Sequence, residues 1–130
     1  METPLPESAK CVVDRIRTLI SSNNAEKKEK EPGLTWNYVG MEITKELDNL
    51  KNDRMLVPEG SRAVACHAYH VLRGANILNP TSRLLLIIVN GTPTLDKNFR
   101  LLQDKYYTLE QERPLFGQGD FITIVLEIRK

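Results

Sequence analysis

The chain has 130 residues, of which 41% are apolar and 27% charged, and its 18 basic and 17 acidic residues leave a net charge of +1. That length can bury a core without disulfides or metal. The near-neutral balance excludes a globally basic nucleic-acid-binding protein and an acidic disordered tail. The longest apolar run, residues 84–89, is far shorter than the roughly 18 residues that a membrane span needs. We therefore expect a globular protein that does not enter a membrane.

The N-terminal segment is predicted to be unstructured. Residues 1–7 contain two prolines and no hydrophobic periodicity, which favours a flexible tail before a single globular domain over residues 8–130. The same segment lacks the basic start and apolar stretch of a signal peptide. Cys11 and Cys66 are too few for a disulfide framework. The sequence therefore predicts a cytoplasmic or nuclear protein with reduced cysteines.

The first half of the chain predicts two amphipathic helices, over residues 8–20 and 34–50. The second helix has the more regular apolar face, formed by Trp36, Val39, Ile43, Leu47 and Leu50. Between the two helices, residues 21–33 are polar, carry charges of both signs and end in Pro-Gly, which is typical of a mobile, solvated loop.

The second half predicts alternating strands and helices. The strands are residues 55–57, 84–89 and 121–129, and the helices are residues 62–73 and 95–109. The unbroken apolar run at 84–89 indicates a strand that is covered on both faces. Right-handed crossovers would fold this part into a small β-α-β-α-β sheet layer. We expect an α/β or α+β domain in which two N-terminal helices precede that layer, and an uncovered sheet edge that allows a homo-oligomer.

The usual catalytic and cofactor motifs are absent from the sequence, including the glycine-rich dinucleotide and phosphate loops and the nucleophile and zinc-protease signatures. The sequence therefore predicts a protein that is not an enzyme and has no cofactor. The turns at residues 59–62 and 90–94 each follow a predicted strand and precede a predicted helix, where an anion can bind. Their residues are also those that any turn and helix cap require, so we interpret both as ordinary turns.

One compact group of metal-type ligands occurs in the predicted helix 62–73. Cys66 and His70 are four residues apart, so both side chains could reach one ion if the segment is helical. Zinc needs a third and usually a fourth ligand. The chain offers one other cysteine, Cys11, and no histidine outside this stretch. We therefore expect no metal site.

The polar side of that predicted helix is the most informative surface of the sequence. No acidic residue occurs between Glu59 and Asp96, whereas three arginines and both histidines do. The exposed face would carry Arg62, Cys66, Tyr69, His70 and Arg73. Arginine and tyrosine are enriched at interaction hot spots because they combine contact area with directional donors.

We interpret this face as a partner-binding site for an acidic surface of another protein. The chain would then be a non-enzymatic binding or assembly module, a subunit or adaptor in a larger complex. Two alternatives stay open. The same face could bind single-stranded nucleic acid such as RNA, with arginines on phosphates and Tyr69 stacked on a base. It could also be an ordinary solvated face.

Overall fold

The structure is a computed structural model that describes residues 2–31, 35–96 and 98–128. Strands make up 47% of it and form two sheets, and its two helices are short. In chain order the elements are β1 (Glu2–Pro4), α1 (Glu7–Ser21), β2 (Glu26–Glu31), β3 (Thr35–Val39), α2 (Met41–Lys51), β4 (Ser61–Val71), β5 (Gly74–Ile77), β6 (Leu84–Gly91), β7 (Thr94–Leu95), β8 (Phe99–Arg100), β9 (Lys105–Leu109), β10 (Arg113–Phe116) and β11 (Gly119–Ile128).

The larger sheet has seven strands in the order β1-β9-β6-β11-β4-β3-β2, and every neighbouring pair is antiparallel. The smaller sheet has four strands in the order β5-β10-β7-β8, also antiparallel. Both helices pack on one face of the larger sheet, and residues of the smaller sheet pack on the other. The molecule therefore consists of three layers, with the seven-stranded sheet in the middle.

Alternate residues of the central strands supply the two cores of the molecule. Toward the helices, the buried residues of β6 and β11 are Leu85, Ile87, Val89, Ile122, Ile124 and Leu126. Toward the smaller sheet, they are Leu84, Leu86, Ile88 and Phe121. The predicted strand at 84–89 is confirmed, since all of these residues are buried. The predicted helix at 8–20 is confirmed as α1, and the predicted strand at 121–129 as β11.

The predicted fold class, a small β-α-β-α-β layer behind two N-terminal helices, is wrong because strands replace two of the four predicted helices and the first part of a third. The predicted helix 34–50 is divided in two. Trp36 and Tyr38 lie on β3, and α2 begins only at Met41. Gly40 between them has φ +119°, a conformation that no helix contains and that glycine adopts most easily. By coincidence, Trp36 and Val39 continue the apolar spacing of the helix that comes after them.

The predicted helix 62–73 is β4 and the start of the turn after it. Apolar side chains point to both faces of this strand, toward the helices at Ala68 and toward the smaller sheet at Val71. Burial along β4 is irregular, with Ser61, Ala68 and Val71 buried and Arg62, Val64 and His67 exposed, so the alternation that marks a strand is absent and a helical spacing emerges by chance. The short strand predicted at residues 55–57 is a turn.

The predicted helix 95–109 is divided among β7, β8 and β9. Asp96 and Asp104 have positive φ values of 57° and 67°, which a right-handed helix does not allow. The apolar residues whose spacing predicted this helix do not share one face. Leu95 and Leu109 are buried toward the smaller sheet, Tyr106 packs against the helix-side core, and two of the set are exposed: Phe99 and Leu102.

Both edges of the larger sheet come from segments for which the sequence predicts no regular structure. Residues 2–4 of the predicted tail pair with β9 as β1, and residues 26–31 of the predicted loop pair with β3 as β2. Every residue of β2 is glutamate or lysine, and a charged edge discourages pairing with another chain. The predictions for residues 1, 32–34, 97, 129 and 130 lie outside the described residues. Neither helix of the described ranges has the length and apolarity to cross a membrane.

Candidate binding groove at the start of β4

The five residues predicted to form one binding face are distributed over both faces and both ends of β4, because successive side chains of a strand point to opposite sides. Arg62 is exposed at the beginning of β4, and Arg73 is exposed in the turn after it. Cys66 packs against the helix-side core, whereas Tyr69 packs against the core of the smaller sheet. The structure therefore does not bring these five side chains together.

Cys66 and His70 are too far apart to bind the same metal ion. They are four residues apart on an extended strand, about 13 Å along its axis, whereas the same spacing on a helix would have placed them side by side. Burial raises the pKa of the Cys66 thiol to about 12, so in the metal-free protein the thiol stays protonated and is a poor nucleophile at neutral pH. Within the described ranges, no three His, Cys, Asp or Glu residues cluster as a metal site would require.

Tyr69 is part of the packed interior between the two sheets. Its ring stacks on that of Phe121 with centroids 5.4 Å apart, and burial raises the pKa of its hydroxyl. An aromatic ring that stacks on a core phenylalanine is not positioned to stack on a base of a bound nucleic acid.

His70 belongs to a hydrogen-bonded network on the helix side of the larger sheet. Its Nδ1 lies 2.7 Å from Oδ1 of Asp120, which also accepts a 2.6 Å hydrogen bond from the Tyr38 hydroxyl. Oδ2 of Asp120 accepts a 3.0 Å bond from Asn90 Nδ2. The Trp36 ring stacks on the imidazole, with centroids 4.2 Å apart and planes 13° apart. The register of the strands places these side chains in one row across the sheet, because Asp120 lies opposite both His70 and Asn90, and His70 lies opposite Trp36.

This network ties the ends of four strands together. The Asp120 carboxyl group is buried, and a buried polar group is tolerated only when hydrogen bonds compensate for its lost hydration. Burial and the bond to Asp120 raise the pKa of Tyr38, so its hydroxyl keeps its proton and remains a donor. The sequence signal for the network was available but overlooked. Asp120 is the one acidic residue between Glu112 and Glu127, and it directly precedes a run of apolar residues.

A groove of about 720 Å³ opens at the opposite end of β4, between the end of α2, the loop that follows it and the first residues of the strand. Three basic residues line it: Lys51, Arg54 and Arg62. Two acidic residues line it as well: Asp53 and Glu59. Apolar side chains complete the wall: Val57, Pro58 and Ala63.

The Asp53 carboxylate is engaged in holding the loop together. Its Oδ1 accepts hydrogen bonds from the backbone N–H groups of Met55 (2.8 Å) and Leu56 (3.2 Å), and its Oδ2 accepts one from the Ser8 hydroxyl (2.8 Å). Leu56 is 1% exposed and anchors the loop in the helix-side core. The groove is therefore built on an ordered turn. Of its two acidic residues, Asp53 has its oxygens occupied by donors from the same chain, whereas Glu59 is exposed.

Arg62 forms an ion pair at the rim of the groove. Its Nη2 lies 2.6 Å from Oε1 of Glu127, the residue opposite it on β11, and the two side chains are 59% and 46% exposed. Exposed pairs of this kind contribute about 0.2–1 kcal/mol. The bond is therefore easily exchanged for another.

Sequence reasoning found one basic residue of the groove, Arg62, and missed Lys51 and Arg54. The turn at residues 59–62 was recognised as a place where an anion can bind, and it does line the groove. A strand follows this turn, so no helix dipole acts there. The overlooked signal was the pair of basic residues around Asp53, where the sequence was read only as the end of a helix.

Comparison of the chain with known protein families, with curated proteins and with solved structures finds no match.

Proposed function

We propose that the chain is a non-enzymatic binding or assembly module that holds an acidic segment of a protein partner in the groove at the start of β4. The observation that supports this is the lining of one groove by Lys51, Arg54 and Arg62, while Asp53 is occupied by the loop. The proposal keeps the acidic partner expected from the sequence and moves its binding surface from a helical face to this groove.

The charges alone would bind a partner weakly. Three exposed ion pairs at about 0.2–1 kcal/mol each contribute roughly 1–3 kcal/mol, so affinity has to come from apolar contacts as well. Val57, Pro58 and Ala63 supply an apolar wall beside the charges. The ligand that fits best is an acidic peptide with aliphatic residues between its carboxylates.

Single-stranded nucleic acid is the alternative ligand, because phosphates also bind arginine and lysine. Three basic residues offer little counterion release, and Tyr69, the expected stacking residue, packs on Phe121. A cytoplasmic or nuclear location is part of the proposal, and it is supported by the two cysteines, which form no disulfide. A homo-oligomer through a sheet edge stays a prediction.

The test compares two triple variants with the same change in net charge. One replaces Lys51, Arg54 and Arg62 by glutamine. The matched control replaces three exposed basic residues elsewhere by glutamine: Lys28, Arg73 and Arg100. Fluorescence anisotropy measures binding of a labelled peptide of alternating Glu and Leu, and of a labelled oligouridine, at low and moderate salt.

We expect the groove variant to lose at least tenfold in peptide affinity and the control to lose no more than about threefold, because distant exposed charges are screened. Equal losses in both variants would show nonspecific attraction and contradict the proposal. Binding of oligouridine but not of peptide, with loss in the groove variant, would establish the nucleic-acid alternative.

A further inference from the structure

We infer that the ligand group held by Arg62 is a carboxylate, and that it binds by taking the place of Glu127. This inference rests on the proposed function of the groove. Arg62 and Glu127 are directly opposed residues of β4 and β11, so the antiparallel pairing keeps a carboxylate beside the guanidinium in the unbound protein. Glu127 therefore acts as an internal competitor for the position that the partner's carboxylate occupies.

The geometry of the internal pair shows why it can be displaced. The contact joins a single guanidinium nitrogen, Nη2, to a single oxygen of Glu127. A guanidinium offers five N–H donors, and it binds a carboxylate best through two parallel bonds. An incoming carboxylate that approaches from solvent can adopt this two-bond arrangement.

The exposure of both side chains makes the exchange inexpensive. With 59% of Arg62 and 46% of Glu127 accessible to water, a displaced Glu127 carboxylate is readily hydrated. Glutamate 127 thus lowers the affinity for an acidic ligand by a modest factor, and its removal should raise that affinity by about two- to fivefold.

The experiment measures peptide binding to Glu127→Gln and to a matched control, Glu112→Gln, which removes an exposed carboxylate elsewhere. Glu127→Gln should bind the Glu/Leu peptide about two- to fivefold more tightly, with a smaller gain in the control. When Arg62 is also replaced by glutamine, Glu127→Gln should have no further effect. This non-additivity distinguishes direct competition from a general change in net charge.

An unchanged or weaker affinity of Glu127→Gln would overturn the inference. If the groove triple variant still loses binding in that case, the proposed function stands without it. If the groove triple variant retains peptide binding, the proposed function itself is contradicted. The same peptide with phosphoserine in place of glutamate tests the carboxylate assignment, and tighter binding of the phosphorylated peptide would refute it.

Discussion

Replacement of Asp120 by alanine should be among the most destabilising single changes in this protein, because three donors lose their acceptor at once. The carboxylate accepts bonds from the Tyr38 hydroxyl, His70 Nδ1 and Asn90 Nδ2. Within the described part of the chain the Tyr38 hydroxyl donates to no other acceptor, and its residue is 5% exposed. The variant thus leaves a buried hydroxyl unpaired and disconnects the ends of four neighbouring strands.

The magnitude follows from how far water can reach each donor. An unpaired buried donor costs about 1–3 kcal/mol, so we assign about 2 kcal/mol to Tyr38. His70 and Asn90 are partly accessible and can recover some hydration, which reduces their loss to about 1 kcal/mol each. The expected total of about 4 kcal/mol is a large part of the 5–15 kcal/mol that stabilises a typical domain.

Urea unfolding followed by the fluorescence of Trp36 measures this loss. With a denaturant slope near 2 kcal/mol per molar, the midpoint should fall by about 2 M. Asp120→Asn, which keeps one acceptor oxygen and loses the charge, should lie between wild type and alanine. The control is Glu127→Gln on the same strand, which breaks only an exposed ion pair and should cost less than about 1 kcal/mol.

The structural argument fails if Asp120→Ala and Glu127→Gln have the same small effect. That outcome would mean that water hydrates the Tyr38 hydroxyl in the variant and that the network contributes nothing specific to the sheet.

Three further predictions concern the cysteines and the glycines. A thiol reagent at neutral pH should modify the exposed Cys11 but not Cys66, because burial raises the pKa of the Cys66 thiol to about 12. One thiol should therefore react in the native protein and two in denaturant. Rapid reaction of two thiols in the native protein would contradict this. Above pH 9 the Cys66 thiol ionises in the unfolded chain before it does in the folded protein, so the free energy of unfolding should fall between pH 9 and pH 12. The fall should be less steep in Cys66→Val. Urea midpoints measured across that pH range test both expectations. Gly91→Ala should cost at least about 2 kcal/mol in urea unfolding, since its φ is +85° and its new Cβ would lie 2.5 Å from the backbone oxygen of Gln118. Gly60→Ala, with φ +86° and no atom within 4 Å, should lose only about 1 kcal/mol, and equal losses would disprove the close-approach argument.

The candidate groove and the polar network differ in how well the sequence could reveal them. Lys51, Arg54 and Arg62 lie within a dozen residues of one another, and the turn at residues 59–62 was recognisable from its composition. Tyr38 and Asp120, in contrast, are 82 residues apart in the chain. Only the order β6-β11-β4-β3 and the register of those strands place them side by side.

The sequence pattern alone was sufficient to predict the elements whose burial follows the repeat of their own secondary structure. Helix α1 has one buried and one exposed face, so its 3.6-residue repeat is visible in the sequence. Strand β6 is buried on both faces and appears as an unbroken apolar run at residues 84–89. These elements were predicted because a single physical requirement, burial of apolar surface, determines both their sequence and their conformation.

Tertiary structure decided the rest. Strand β4 carries small and polar residues between the two cores, so its sequence shows neither an apolar run nor the apolar–polar alternation that would identify a strand. Its strand conformation is set by pairing with β3 and β11. The charged strand β2 has little strand propensity of its own and depends on hydrogen bonds to β3. Backbone pairing between distant segments leaves no periodic signal in either partner. For this reason the sequence alone revealed the helix α1 and the centre of the sheet, whereas the tertiary structure determined its edges, its second layer and the residues that meet on β4.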